Sequence, residues 1–116
     1  MKFLVLAYGA EKDWVALSKQ EQDELLAQDQ VLRERGDTVA AVEPCAVTVR
    51  AWDGTPDVRH ETFAAPGVPL AGFGIVEAAD LDEAVRLVKD TPCARAGGAV
   101  ELRAITAINA PAPPST

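Results

Sequence analysis

The chain has one histidine, one tyrosine and two cysteines, and each shortage closes off some chemistry. A structural zinc site needs a tight set of Cys and His ligands, and with one His and no Cys/His cluster none is expected. Cys45 and Cys93 stand far apart with no C-x-x-C spacing. Their number permits a disulfide, but buried or incidental thiols are the simpler reading for a chain of this size. No apolar run approaches the roughly 18 residues that a membrane span requires. Met1–Tyr8 is too short and too β-like for a signal peptide, so a cytoplasmic chain with no membrane partner is expected. Eleven Lys and Arg face eighteen Asp and Glu, a net charge of −7, and the basic residues are scattered. Broad attraction to a phosphate backbone is absent, which argues against a nucleic-acid partner.

What remains is an ordinary globular composition, 48% hydrophobic and 25% charged over 116 residues, enough for one domain with a modest core. Its best-specified part is Leu70–Ile105. Leu70–Ala78 reads as a strand with apolar or small residues on both faces, so both faces need cover. Ala71, Phe73 and Ile75 point one way and Leu70, Gly72, Gly74 and Val76 the other. The two glycines remove side chains from one face, which implies close packing against the backbone or a hollow for a ligand. Asp80 and Glu83 have capping-box spacing, and Leu81, Ala84, Val85 and Val88 make one apolar stripe of the helix they open. Pro92 is expected to end that helix. Ala99–Ile105 alternates as a half-buried strand.

Earlier in the chain, Lys2–Tyr8 reads as a central strand and Gly9–Leu17 as a connection in which Trp14 covers the core edge or lines a pocket. Ser18 and Glu21 form a capping box for a helix to about Glu34, with Leu25, Leu26 and Leu32 inward and Gly36 placed to end it. Thr38–Glu43 and Ala46–Trp52 are short β-branched runs separated at Pro44-Cys45. Asp53-Gly54 marks a hairpin whose returning arm is Val58–Phe63. Ala64–Pro69 is a loop, and Asn109–Thr116 a proline-rich tail expected to be loose.

The order β-α-β-β-(β)-β-α-β predicts an α+β ferredoxin-like fold over residues 1–108, an antiparallel sheet with helices on one face. The chain has no element left to cover the other face. A second copy packing sheet on sheet is the expected cover, giving a homodimer.

The laid-out chain resembles the YCII-related family, also called the DGPF family, of the dimeric α/β-barrel group, over about residues 1 to 105. KFLVLAYGAEKDW followed by LSKQEQ resembles the family's opening. LDEAVRLVKDTPCARAGGAVELRAI resembles its close: a Leu-Asp-Glu-Ala helix, Pro-x-Ala-Arg, Gly-Gly, and a Val-Glu-x-Arg strand. The family's Asp-Gly-Pro-Phe-Ala segment and Leu-Gly-Gly-Phe fall on His60–Ala64 and Leu70–Phe73. Phe63, Ala64, Leu70, Gly72 and Phe73 match, while His60, Glu61 and Thr62 replace the Asp, Gly and Pro. The resemblance implies, for members read as muconolactone-isomerase or dehydrochlorinase types, an Asp working with a distant His. Here the Asp is absent and the only His stands in its place, so that dyad does not carry over.

Three functions follow. The first is a small-molecule-binding or regulatory module with Gly72, Gly74, Phe63 and Arg103 toward the ligand. Its partners are itself and a small organic ligand, and the resemblance adds a link to sigma-factor-dependent regulation. The second is an enzyme using no cofactor or metal, with His60 as general base and Tyr8 as hydrogen-bond donor. An imidazole titrates near neutrality and can serve as such a base. Its acid partner would be Glu43, Glu101, Asp13 or Glu11, because Arg59 and Glu61 point away from His60 on an extended strand. Tyr8 is expected to reach a hollow between sheet and helices. Arg103 either binds a carboxylate or pairs locally. A third, structural role with no pocket requires filled space at the glycines.

Overall fold

The computed structural model describes residues 1–64 and 67–109. Residues 65–66 of the 64–69 loop and 110–116 of the tail therefore lie outside the described residues. The elements are β1 (Lys2–Tyr8), α1 (Glu11–Val15), α2 (Lys19–Glu34), β2 (Thr38–Ala41), β3 (Thr48–Arg50), β4 (Asp57–Arg59), β5 (Leu70–Glu77), α3 (Leu81–Val88), α4 (Pro92–Arg95) and β6 (Ala99–Ala104). Four strands form one antiparallel sheet in the order β2-β5-β1-β6. With helices on one face, this is the ferredoxin-like arrangement expected from the sequence. The β3–β4 hairpin is inserted between the second and third strands of that arrangement as a separate two-stranded ribbon.

Local chemistry sets most boundaries. The Ser18 hydroxyl accepts from the Glu21 N–H and the Glu21 carboxylate accepts from the Ser18 N–H, a complete capping box. The Ser18 N–H first, and its hydroxyl second, hold the Glu21 carboxyl below the usual range. At the other end of α2, the Gly36 N–H donates to the Arg33 carbonyl and the Asp37 N–H to the Leu32 carbonyl. Gly36, at φ +93°, takes the left-handed position this Schellman closure requires. Asp37 then accepts from the Glu77 backbone N–H and from Arg35, tying the end of α2 to the end of β5.

Three expectations are corrected. Residues 11–15 of the first connection form a short helix, so Trp14 sits on α1. Pro92 does not end α3, which closes at Val88. It opens α4 instead, where its missing N–H costs nothing. The expected stripe of α3 is rotated: Ala84 and Val88 are buried, Leu87 packs on the core, and Leu81 and Val85 are exposed.

The core lies between sheet and helices. Phe3 and Val5 of β1, Val76 and Ala78 at the end of β5, Leu32 of α2 and Ala84 and Val88 of α3 are buried together. On the other face Leu4, Leu6 and Ile75 are only half-buried and Phe73 is exposed. No described residue on that face is buried, so the apolar second face anticipated from β5 has no cover among the described residues. The hairpin adds to the imbalance. Every residue from Ala51 to Ala64 is exposed, including Trp52, Val58 and Phe63. The radius of gyration is 16.2 Å, where a compact chain of this length has about 13 Å. The hairpin is thus an arm. The Arg50 guanidinium lies 5.4 Å from the Trp52 ring and 5.0 Å from the Phe63 ring, and the Thr48 hydroxyl donates to the Glu61 carbonyl. These contacts hold the arm to itself.

Candidate functional site

The alternation of β1 decides where Tyr8 goes. Phe3 and Val5 face the helices, so Leu4, Leu6 and Tyr8 face away from them. Tyr8 therefore does not enter the space between sheet and helices. It reaches a groove on the open face, because a long apolar strand advertises neither of its faces. In β6, Ala99 pairs with Tyr8, Glu101 with Leu6 and Arg103 with Leu4, so Glu101 and Arg103 share that face.

The groove, of about 1060 Å³, is bounded on one side by Tyr8, Glu101 and Arg103 and on the other by Glu43 and Phe63 at the base of the arm. Of the six predicted site residues, it gathers Tyr8, Phe63 and Arg103. The Arg103 guanidinium donates to the Glu101 carboxylate at 2.6 Å, and this bond first, with the Glu101 charge second, raises the arginine above its usual range. Local pairing thus accompanies the groove position. Glu43 accepts from the Cys45 thiol at 3.4 Å. His60 is apart from this group. It is exposed on the arm just beyond β4, lines none of the hollows, and among the described residues accepts or donates no hydrogen bond. Of the acids considered as its partners, Glu43 and Glu101 lie in the groove while Glu11 and Asp13 lie on α1.

Gly72 and Gly74 are on the opposite face. A side chain at either would run into β2: a Cβ at Gly74 would fall 2.5 Å from the Thr38 carbonyl oxygen, and one at Gly72 would overlap the Ala40 carbonyl. Close backbone approach explains the pair, as the packing alternative held. A hollow of about 250 Å³ also lies over them, between β5 and α2, so the two readings coexist.

That hollow adjoins a second of about 510 Å³ at the end of the sheet, and both are lined by Leu26, Asp29, Pro92 and Cys93. Asp29 was not singled out from the sequence, although the spacing Leu26, Asp29, Leu32 puts it on the inward face of α2. Burial raises its carboxyl above the usual value, partly offset by the Arg33 charge. Burial, and then the Asp29 charge, push the Cys93 thiol up as well, which makes it a poor nucleophile. Both cysteines are free. Among the described residues no group of three His, Cys, Asp or Glu is placed to hold a metal, and no helix is long and apolar enough to cross a membrane.

A model of a known family, the YCII-related domain, matches residues 1–109, which includes both hollows, the groove and the arm. No curated protein matches the chain.

Proposed function

The chain belongs to the YCII-related domain family, and from that premise we propose that it is a homodimeric small-molecule-binding or regulatory module. The observation that carries this reading is the open-face groove, which gathers a phenol, an aromatic ring and a guanidinium–carboxylate pair at the rim of an uncovered apolar sheet. Such a mixture suits a small organic ligand with polar groups: apolar surface for affinity, a few polar groups for orientation.

A second copy stacked on Leu4, Leu6, Phe73 and Ile75 removes apolar surface from water and walls the groove on its open side. The arm supports the same arrangement. An isolated two-stranded hairpin is marginal in water, and this one exposes Val49, Trp52 and Val58. It borders the groove at its base, on the side where a second sheet would stack.

The family's dyad has no counterpart here, because His60 replaces its Asp and stands on the arm away from Tyr8. The chemistry offered by the groove is therefore binding. Sedimentation of the chain and of Phe73→Glu tests the dimer: the parent sediments as a dimer at micromolar concentration and the variant as a folded monomer. A parent that stays monomeric throughout sinks the proposal. So does loss of turnover of a muconolactone-like substrate on His60→Ala in a pure dimer, which would make the protein an enzyme.

A further inference from the structure

The cleft at the end of the sheet has a lining unlike the groove's. It combines apolar walls from Leu26, Ala41 and Leu70 with Trp14 and two carboxylates, Glu11 and Asp29, and its described lining contains no Lys, Arg or His. The Trp14 position is fixed from two sides, by α1 and by the Gln22 side-chain amide, which donates to the Trp14 carbonyl at 2.8 Å. Asp29 is half-buried and, among the described residues, has no hydrogen-bond or ion-pair partner; Arg33, one turn along α2, lines only the adjoining hollow. A carboxylate drawn partly out of water beside apolar walls is stabilised by a cation that shares its site. An indole in the same lining attracts the same kind of ligand through its ring quadrupole. The volume, about 510 Å³, is that of a site for a small molecule.

We propose that this cleft is a binding site for a small organic cation, an ammonium group carried on an apolar body. The apolar part lies along Leu26 and Leu70, and the charged head lies between Asp29, Glu11 and the Trp14 ring. The cleft meets the open-face groove at Val42, Pro44, Pro69 and Leu70, but Glu11, Trp14 and Asp29 line the cleft and not the groove, so a test read on those three is independent of the groove.

Benzyltrimethylammonium is the probe, with benzyl alcohol and benzoate as its neutral and anionic counterparts. Amide and indole N–H signals of the full-length 15N-labelled protein are followed, the two indoles being assigned with Trp52→Phe. The cation should shift the Trp14 indole signal to saturation and leave that of Trp52 in place. Asp29→Asn should weaken it about tenfold, and Glu11→Gln about threefold, the expected scale for losing a half-buried and an exposed counter-charge. Benzyl alcohol binding as tightly as the cation overturns the proposal. So does a shift that never saturates, one confined to Trp52, or an unchanged affinity in a folded Asp29→Asn.

Discussion

Phe3 and Phe73 lie in neighbouring strands of one sheet and face opposite ways. Phe3 is 3% exposed and sits with Val5, Val76 and Val88, whereas Phe73 is 38% exposed beside Leu6, left open by the described residues. The residues on the two faces are similarly apolar, so hydrophobicity alone does not tell the covered face from the open one. What separates them is where the two long connections go: α2, α3 and α4 all land on one side. A sheet that is apolar on both faces and backed on one leaves a surface that the proposed second copy would cover.

The sharpest way to break this comparison is to truncate each ring in turn. Phe3→Ala should cost about 3–5 kcal/mol of unfolding free energy, read from urea curves, because it leaves a cavity in a thin core. Gly74→Ala comes next. Its methyl would fall against the Thr38 carbonyl, and a strand backbone cannot swing aside, so about 1–3 kcal/mol is expected. A neutral Gly74→Ala would mean that the glycine serves only the hollow above it. Phe73→Ser inverts the result for Phe3. It should leave the isolated chain within about 1 kcal/mol of the parent while removing the dependence of the melting temperature on protein concentration. If the midpoint is concentration-independent in the parent too, the open face is simply solvated.

How much of this was legible follows from which signals are local. The capping box at Ser18, the left-handed closure at Gly36 and the long apolar strands are written in adjacent residues, and they fix the order of elements. Helix α1 has no side-chain cap at Ala10, and α4 begins at a proline that equally well ends a helix; neither carries a distinguishing local mark. The site was harder. Tyr8, Phe63 and Arg103 meet only because β6 returns beside β1 and the arm's base lies across from them, a relation set by sheet register. His60 drew attention as the only imidazole, but its place on an exposed arm depends on the hairpin standing off the body. Asp29 was visible in the helical spacing and was overshadowed by the acidic outer face of the same helix.

The smallest effect asked of the comparison concerns that carboxyl, because it is the acid that the helix face half-buries. Burial raises the Asp29 pKa above its ordinary 3.8, so the folded protein holds its proton to a higher pH than the unfolded chain does. In the window between the two values the folded state binds more protons, and stability therefore falls as pH rises through it. Above the window the cost of the half-buried charge is fully present; below 3.8 it is gone. Asp29→Asn removes this dependence, so the variant's advantage should be least in acid, grow as pH rises through the window and then level off. Because the group is half-exposed, water screens it, and the plateau should stay below about 1 kcal/mol. Urea unfolding of both proteins in parallel across this pH range measures the difference directly. A difference that does not change with pH would mean that Asp29 is solvated in the folded protein as it is in the unfolded chain, and that the helix-side cleft treats its acid no differently from an open surface.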